Sequence, residues 1–313
     1  MITVRPYDRS DHAAWDDLVR RSRNGTFLHL RDYVEYHRDR FPDFSLCFEE
    51  DGRLLAVLPA TRDEDGTVSS HAGLTYGGLV VSPKVRSATV DEILEAALSH
   101  LQRQGATALL YKPVPHLFHR TPAEEDLYFL WKAGGRLVRR DLSSAIDLSS
   151  PVPYSKGRRW SVQRARKAGV TVAESDRWVD FWSVLSERLA TRHGVRPTHT
   201  VEEITELARR FPDHIRLLVG TVAGEVSAGA VLYVTDTTVH TQYLASDEAG
   251  REVGALDLVV HEAIREAART GRRWFSFGIS TTEDGRSLDE GLVAHKEGFG
   301  ARGVVHDWYQ IDL

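Results

Sequence analysis

The sequence predicts an α/β chain of two tandem domains, and three observations point there. An amphipathic helix, a glycine and a strand follow one another twice, at 90–111 and at 255–278. A Ser/Pro-rich segment, 143–153, lies between the two copies as a candidate linker. With 313 residues, 42% of them hydrophobic and 27% charged, the chain is long enough to bury two separate cores.

In chain order, a strand is predicted over 2–6 and a helix over 11–21 that turns Trp15, Leu18 and Val19 inward. A second helix is predicted over 31–40, with Tyr33, Tyr36 and His37 on one face. Strand signals follow at 44–48 and 54–61, joined by the acidic turn Glu49-Glu50-Asp51-Gly52, and a hairpin is signalled at 63–67. In SSHAGLTYGGLVV, 69–81, glycines and aromatics interleave; the glycines serve either as bulges where backbones approach closely or as parts of a ligand-lining loop.

The first repeated helix, 90–104, faces inward with Ile93, Leu94, Ala97, Leu98 and Leu101, stops at Gly105 and leads into a strand over 106–111. Aligning Gly105 on Gly271 also places Asp91 on Asp257 and Leu98 on Ile264, the pattern of an internal duplication. Domain boundaries of 1–150 and 151–313 follow. In the second half, a helix over 176–191 carries Trp178, Phe181, Trp182, Leu185 and Leu189 at helical period, read as core, and a shorter helix spans 201–210. Strands are predicted over 215–221, 226–234 and 239–245, then a glycine-bearing turn over 246–254. The helix over 255–270 has Leu256, Val259, Val260, Ala263, Ile264 and Ala267 on one stripe, and Gly271 stops it. Strands over 272–278 and 304–311 complete the chain. The helix start after the 246–254 turn leaves backbone N–H groups free for a phosphate or an oxyanion.

Several chemistries are excluded or disfavoured. A net charge of -5 argues against a surface that binds nucleic acid as a whole. The single cysteine, Cys47, rules out an internal disulfide and a cysteine-built metal site, and its setting in SLCFEE is that of a buried strand thiol. His116 and His119 have a metal-like spacing with no further ligand near them in sequence, so no metal cofactor is expected. Gly298-x-Gly300-x-x-Gly303 imitates a dinucleotide fingerprint, yet the residues that follow leave no room for the helix and strand the motif needs. No apolar run is long enough to span a membrane and no signal-peptide core opens the sequence, so the cytoplasm is expected.

One segment stands against the acidic average. SKGRRWSVQRARKAG, 155–169, gathers Lys156, Arg158, Arg159, Arg164, Arg166 and Lys167 with no acid among them and Trp160 in their midst. It is either a solvated helix face or a surface for a substrate's phosphates, which arginine forks suit.

KGRRWSVQRARKAGV, YLASDEAGREVGALDLVVHEAIREAARTGRRWFSFGIS and HKEGFGARGVVHDWYQIDL together resemble the FemAB-like branch of the GNAT superfamily, which includes the peptidoglycan interpeptide-bridge aminoacyltransferases. TFLHLRDY and DGRLLAVLPA extend the likeness into the N-terminal half. The resemblance implies two tandem GNAT-like domains, each a mixed, mainly antiparallel sheet flanked by helices, with a cleft between them. It further implies a pyrophosphate loop at Arg251, Gly254 and Ala255 for the donor, Arg158 and Arg159 on an acceptor diphosphate, and Lys296 at the donor ester, where His295 replaces the family's aromatic neighbour. His71 and Tyr76 are cleft candidates from the matching loop of the first domain. The helical-hairpin insertion of some members is missing. The expectation is an acyltransferase that forms an amide on a small-molecule amine, a nucleotide-linked sugar or cell-wall precursor, by direct transfer from acyl-CoA. The alternatives are an aminoacyl-tRNA-dependent Fem-type enzyme, with tRNA as partner, and a non-catalytic module that binds a phosphorylated ligand.

Overall fold

The helix expected over 255–270 forms as Ala255–Arg269 and buries Leu258, Val259, Val260, Ala263, Ile264 and Ala267 along its inward stripe. Gly271, at φ +74°, ends it in the left-handed conformation that a side chain resists. The chain then enters the strand Trp274–Ile279, which lies parallel to Thr238–Ser246. These elements belong to the second of two units in the computed structural model, which describes residues 1–313 apart from the side chain of His193.

That second unit comprises Leu142–Thr282 and Leu288–Val304. Its strands run in the order 143–147, Trp274–Ile279, Thr238–Ser246, Glu225–Val234, Ile215–Val222, Thr171–Glu174, antiparallel throughout except for the Thr238–Trp274 ladder. Phe275 and Phe299 are fully buried between sheet and helices, each contributing on the order of 1.5–3 kcal/mol over exposure. The basic segment folds as the helix Lys156–Lys167, with Ser155 accepting the Arg158 N–H as its cap. Val162 and Ala165 tuck it into the core beside the long helix, and Arg158–Asp257 and Arg166–Glu262 ion pairs join the two.

The first unit comprises Met1–Asp141, Glu283–Ser287 and Val305–Leu313. One antiparallel sheet runs in the order Thr3–Pro6, Leu46–Glu50, Arg53–Leu58, Val80–Val81. Ala108–Tyr111 pairs in parallel with Thr67–Ser69 and antiparallel with 309–312 of the last strand, Arg302–Asp312. The repeated helix forms as Ser87–Arg103, again followed by a left-handed glycine, Gly105 at φ +71°. The duplicated aspartates keep an ion-pairing role with different partners, Asp91 with Lys132 and Asp257 with Arg158.

Three expectations are corrected. The helix over 31–40 is only Arg31–Val34, because beyond it the chain turns to lay His37 and Phe41 over Gly73. Residues 143–147 are no linker: they finish the strand Arg136–Asp147, paired with Trp274–Ile279, and the small Ser143 and Ser144 are buried there. The turn over 246–254 contains a short helix, Glu248–Val253, which Asp247 caps by accepting the Gly250 N–H at 2.7 Å. A helix that was not anticipated, Glu125–Lys132, covers the first core with Leu130. No helix among the described residues is long and apolar enough to cross a membrane.

Candidate active site

The site begins where two parallel strands part. Thr238–Ser246 and Trp274–Ile279 are paired only from Thr238 to His240 against Trp274 to Ser276. Thr241–Ser246 continues with partners on its other side alone, in Glu225–Val234. Trp274–Ile279 turns away at a register irregularity between Ser276 and Gly278, with Gly278 at φ +75°. A parting of this kind leaves backbone N–H and C=O groups of an otherwise central strand available to a ligand. A side chain at Gly278 would stand 3.2 Å from the His240 ring, which itself lies 3.0 Å from Ser276 Oγ.

Lys296, from the helix Glu290–Gly298, secures the departing strand. Its Nζ donates to Gly278 O at 2.8 Å, Ile279 O at 2.7 Å and Ser280 Oγ at 2.7 Å, which uses all three donors of an ammonium. The residue is 2% exposed, and burial brings its pKa down to about 8.

Next to it opens a pocket of about 750 Å³ within the second unit, with Leu244, Gly254, Asp257, His295 and Lys296 in its wall. Five guanidinium groups reach it, from Arg158, Arg164, Arg188, Arg192 and Arg251. Arg158 Nη1 donates to both carboxylate oxygens of Asp257 at 2.7 Å, and Arg251 donates to Ser246 O at 3.2 Å. Arg192 faces Asp289 at 3.6 Å. Arg188 is held below the ordinary arginine pKa, by burial first and then by the positive charges of Arg251 and Arg192. His295 is brought down to about 4 by burial first and Arg158 second, so its ring is neutral at pH 7.

Glycines set the walls close together. Gly254 caps the long helix at φ +81°, and a Cβ there would meet Ser161 Oγ at 2.5 Å. At Gly250 a Cβ would meet Ser227 O at 2.3 Å, and at Gly298 the Arg158 side chain at 2.9 Å. With glycine as cap, no side chain among the described residues satisfies the first N–H groups of the long helix, so they remain for solvent or an anion.

Of the residues singled out from the sequence, Arg158, Arg251, Gly254 and Lys296 share this pocket. Ala255 is fully buried behind Gly254, and Arg159 lies outside the pocket wall, donating to Tyr154 O. Tyr76 and His71 are packed inside the first unit. Tyr76 donates to Thr26 Oγ1 at 3.2 Å, and burial raises its pKa. His71, at φ +65°, stacks 5.3 Å from His37, and burial followed by His37 lowers its pKa to about 2. The glycines of its loop serve close approach: a Cβ at Gly77 would stand 1.8 Å from Ser70 O. Cys47 is buried in Leu46–Glu50, its thiol pushed up to about 12 by burial. His119 Nε2 lies 2.8 Å from Val114 O, and among the described residues no three metal-ligating side chains converge. Sequence reasoning missed Arg164 as a wall residue and missed Arg188 and Arg192 altogether. The last two stand four apart on the helix Trp178–His193, each seven residues after Phe181 or Leu185, so they continue the side of the helix that those two begin.

A family model described as an acetyltransferase (GNAT) domain matches residues 155–286. Among solved structures, that of FemX has a TM-score of 0.70 at 14% identity, covering 99% of this chain and 97% of its own. The structure of L-PGS from Bacillus licheniformis gives 0.62 at 13% identity, with 97% and 91% covered. A tandem GNAT protein from the clavulanic acid biosynthesis pathway gives 0.53 at 14% identity, with 100% and 98% covered. At these identities the likeness is one of fold. No curated protein matches in sequence. Residues 155–286 thus match a GNAT acetyltransferase domain, and the chain as a whole shares the fold of FemX and of a tandem GNAT protein.

Proposed function

We propose that the chain is an acyltransferase that forms an amide on an amine-bearing small molecule, taking the acyl group directly from acyl-CoA. The observation that carries this reading is the five-arginine pocket at the parting of Thr238–Ser246 and Trp274–Ile279, with the glycine-capped helix in its wall. Phosphates of the donor rest on Arg251, Arg188, Arg192 and the N–H groups after Gly254, where cations and a helix start both favour negative charge. The extended arm of the donor follows the unpaired edge of Thr241–Ser246 toward Lys296. The acceptor amine attacks the thioester carbonyl, the new C–N bond forms, and the C–S bond breaks to release the thiol. Lys296 supplies the positive charge for the oxyanion by exchanging Ser280 Oγ, the one side-chain oxygen among its three acceptors, for the developing charge. Because Arg158 shares the pocket with Gly254, it acts in this reading on the same anionic ligand and not on a separate acceptor diphosphate.

The test is thermal denaturation with CoA, acetyl-CoA and an aminoacyl-tRNA. A ligand at a hundred times its dissociation constant stabilises by about 2.7 kcal/mol. CoA and acetyl-CoA are expected to raise Tm in the wild type and to lose most of that effect in R251A. Stabilisation by aminoacyl-tRNA alone would replace the CoA donor by the Fem-type one. Stabilisation by CoA with no turnover of any amine would make the chain a binding module.

A further inference from the structure

We infer that Trp160 is a stacking platform for the base of a nucleoside diphosphate whose phosphates occupy the arginine pocket; the inference rests on the pocket reading above and names the end of the ligand that enters it. Trp160 stands on the basic helix, whose inward positions are Ser161, Val162 and Ala165. The indole is therefore not there to fill the core, and it is 61% exposed while forming part of the pocket wall.

Arg164, one turn further along, holds the ring in place. Its Cζ lies 4.8 Å from the indole centroid, a cation–π contact that orients a side chain otherwise free to rotate. The same guanidinium reaches the turn at the head of the long helix: its Nη2 is 3.5 Å from where a Cβ of Gly254 would stand. Its Nε is buried without a hydrogen-bond partner, a donor left for an incoming oxygen. One guanidinium thus spans the gap between an aromatic face and a phosphate-binding turn. A nucleoside diphosphate presents the complementary order, with a flat base, a ribose and two phosphates. Stacking accepts any base, so two sources share this chemistry: the adenosine diphosphate end of a CoA-type donor and the uridine diphosphate of a nucleotide-linked acceptor.

Calorimetric titration of ADP, UDP and inorganic pyrophosphate into the wild type, W160A and W160F tests the inference, with circular dichroism to confirm folding. At least one nucleotide is expected to bind the wild type more tightly than pyrophosphate. W160A should weaken that nucleotide about 5- to 100-fold and leave pyrophosphate unchanged, and W160F should restore most of the loss. Preference for ADP supports the platform and the donor reading of the pocket; preference for UDP supports the platform and replaces that donor reading by an acceptor one. Nucleotides that bind no tighter than pyrophosphate, or a W160A effect equal on all three probes, overturn it while leaving the arginine pocket intact. Failure of pyrophosphate and both nucleotides to bind overturns the pocket reading and the platform together.

Discussion

Lys296 holds three acceptors, two backbone carbonyls and the buried Ser280 hydroxyl, so its removal has two consequences that must be separated. K296M should lower stability by about 1–3 kcal/mol, since Gly278 O, Ile279 O and Ser280 Oγ each lose this donor and only the last is on a buried residue. It should also abolish turnover. S280A removes only the side-chain acceptor and frees one N–H, and is expected to keep or raise kcat. Measuring both variants by urea denaturation and steady-state kinetics decides the matter: equal loss of kcat in the two would reduce Lys296 to a structural fastener. The lysine also titrates. Its folded pKa of about 8 lies below the ordinary 10.5, so its contribution to stability is full above 10.5 and is lost as pH falls through 8. The stability gap between wild type and K296M should therefore widen from pH 8 to pH 10. His295, neutral down to about pH 4, should not shape the rate profile: H295N and wild type are expected to share the same pH dependence of kcat/KM between pH 5.5 and 7.5. Lys296, Gly254 and Arg158 line one pocket, and each was singled out from a local motif. Arg188 and Arg192 were not, since nothing in their own neighbourhood says which wall their helix faces; only the packing of Phe181 and Leu185 into the core turns them toward the pocket.

At the scale of elements, the pocket depends on how closely the long helix approaches the basic helix. G254A places a methyl group 2.5 Å from Ser161 Oγ at a φ that alanine resists, and should cost about 1–3 kcal/mol in denaturation midpoints while weakening CoA. An unchanged midpoint would show that the two helices can slide apart. Arg188 offers the opposite sign. Its guanidinium is crowded by Arg251 and Arg192, so R188A should leave the unliganded protein as stable or slightly more so, while weakening CoA about tenfold or more by calorimetry. The sequence carried the long helix and the strands beside it almost to the residue, because their apolar periods are uninterrupted. It misled over 143–147, where two buried serines in a strand imitate the composition of a loop. It also hid the short helix Glu248–Val253, which is held by the Asp247 cap and by contact at Gly250 with little apolar period of its own.

Over the whole molecule, charge is divided against the average. The chain carries a net -5, yet five arginines converge on one pocket. Donor affinity should therefore fall with ionic strength, by about tenfold between 50 and 500 mM NaCl, as screening shortens from more than 10 Å toward a few ångströms. A salt-independent affinity, measured by calorimetry across that range, would mean that apolar contacts and not the arginines dominate. The repeated helix, glycine and strand announced the tandem fold. The return of the last strand to the first unit left no mark in the sequence, because register across so long a separation is set by pairing and not by local pattern.

That return has a consequence in time. Tyr111 waits for Tyr309, and Ile311 fills a place in the first core. At typical rates of synthesis, roughly ten to forty seconds separate the emergence of these two strands from a ribosome. Through that interval Ala108–Tyr111 presents a bare edge that invites pairing with other chains, while the second unit is still being made. The first unit, most of it written first, therefore cannot complete its sheet until Arg302–Asp312 has been made.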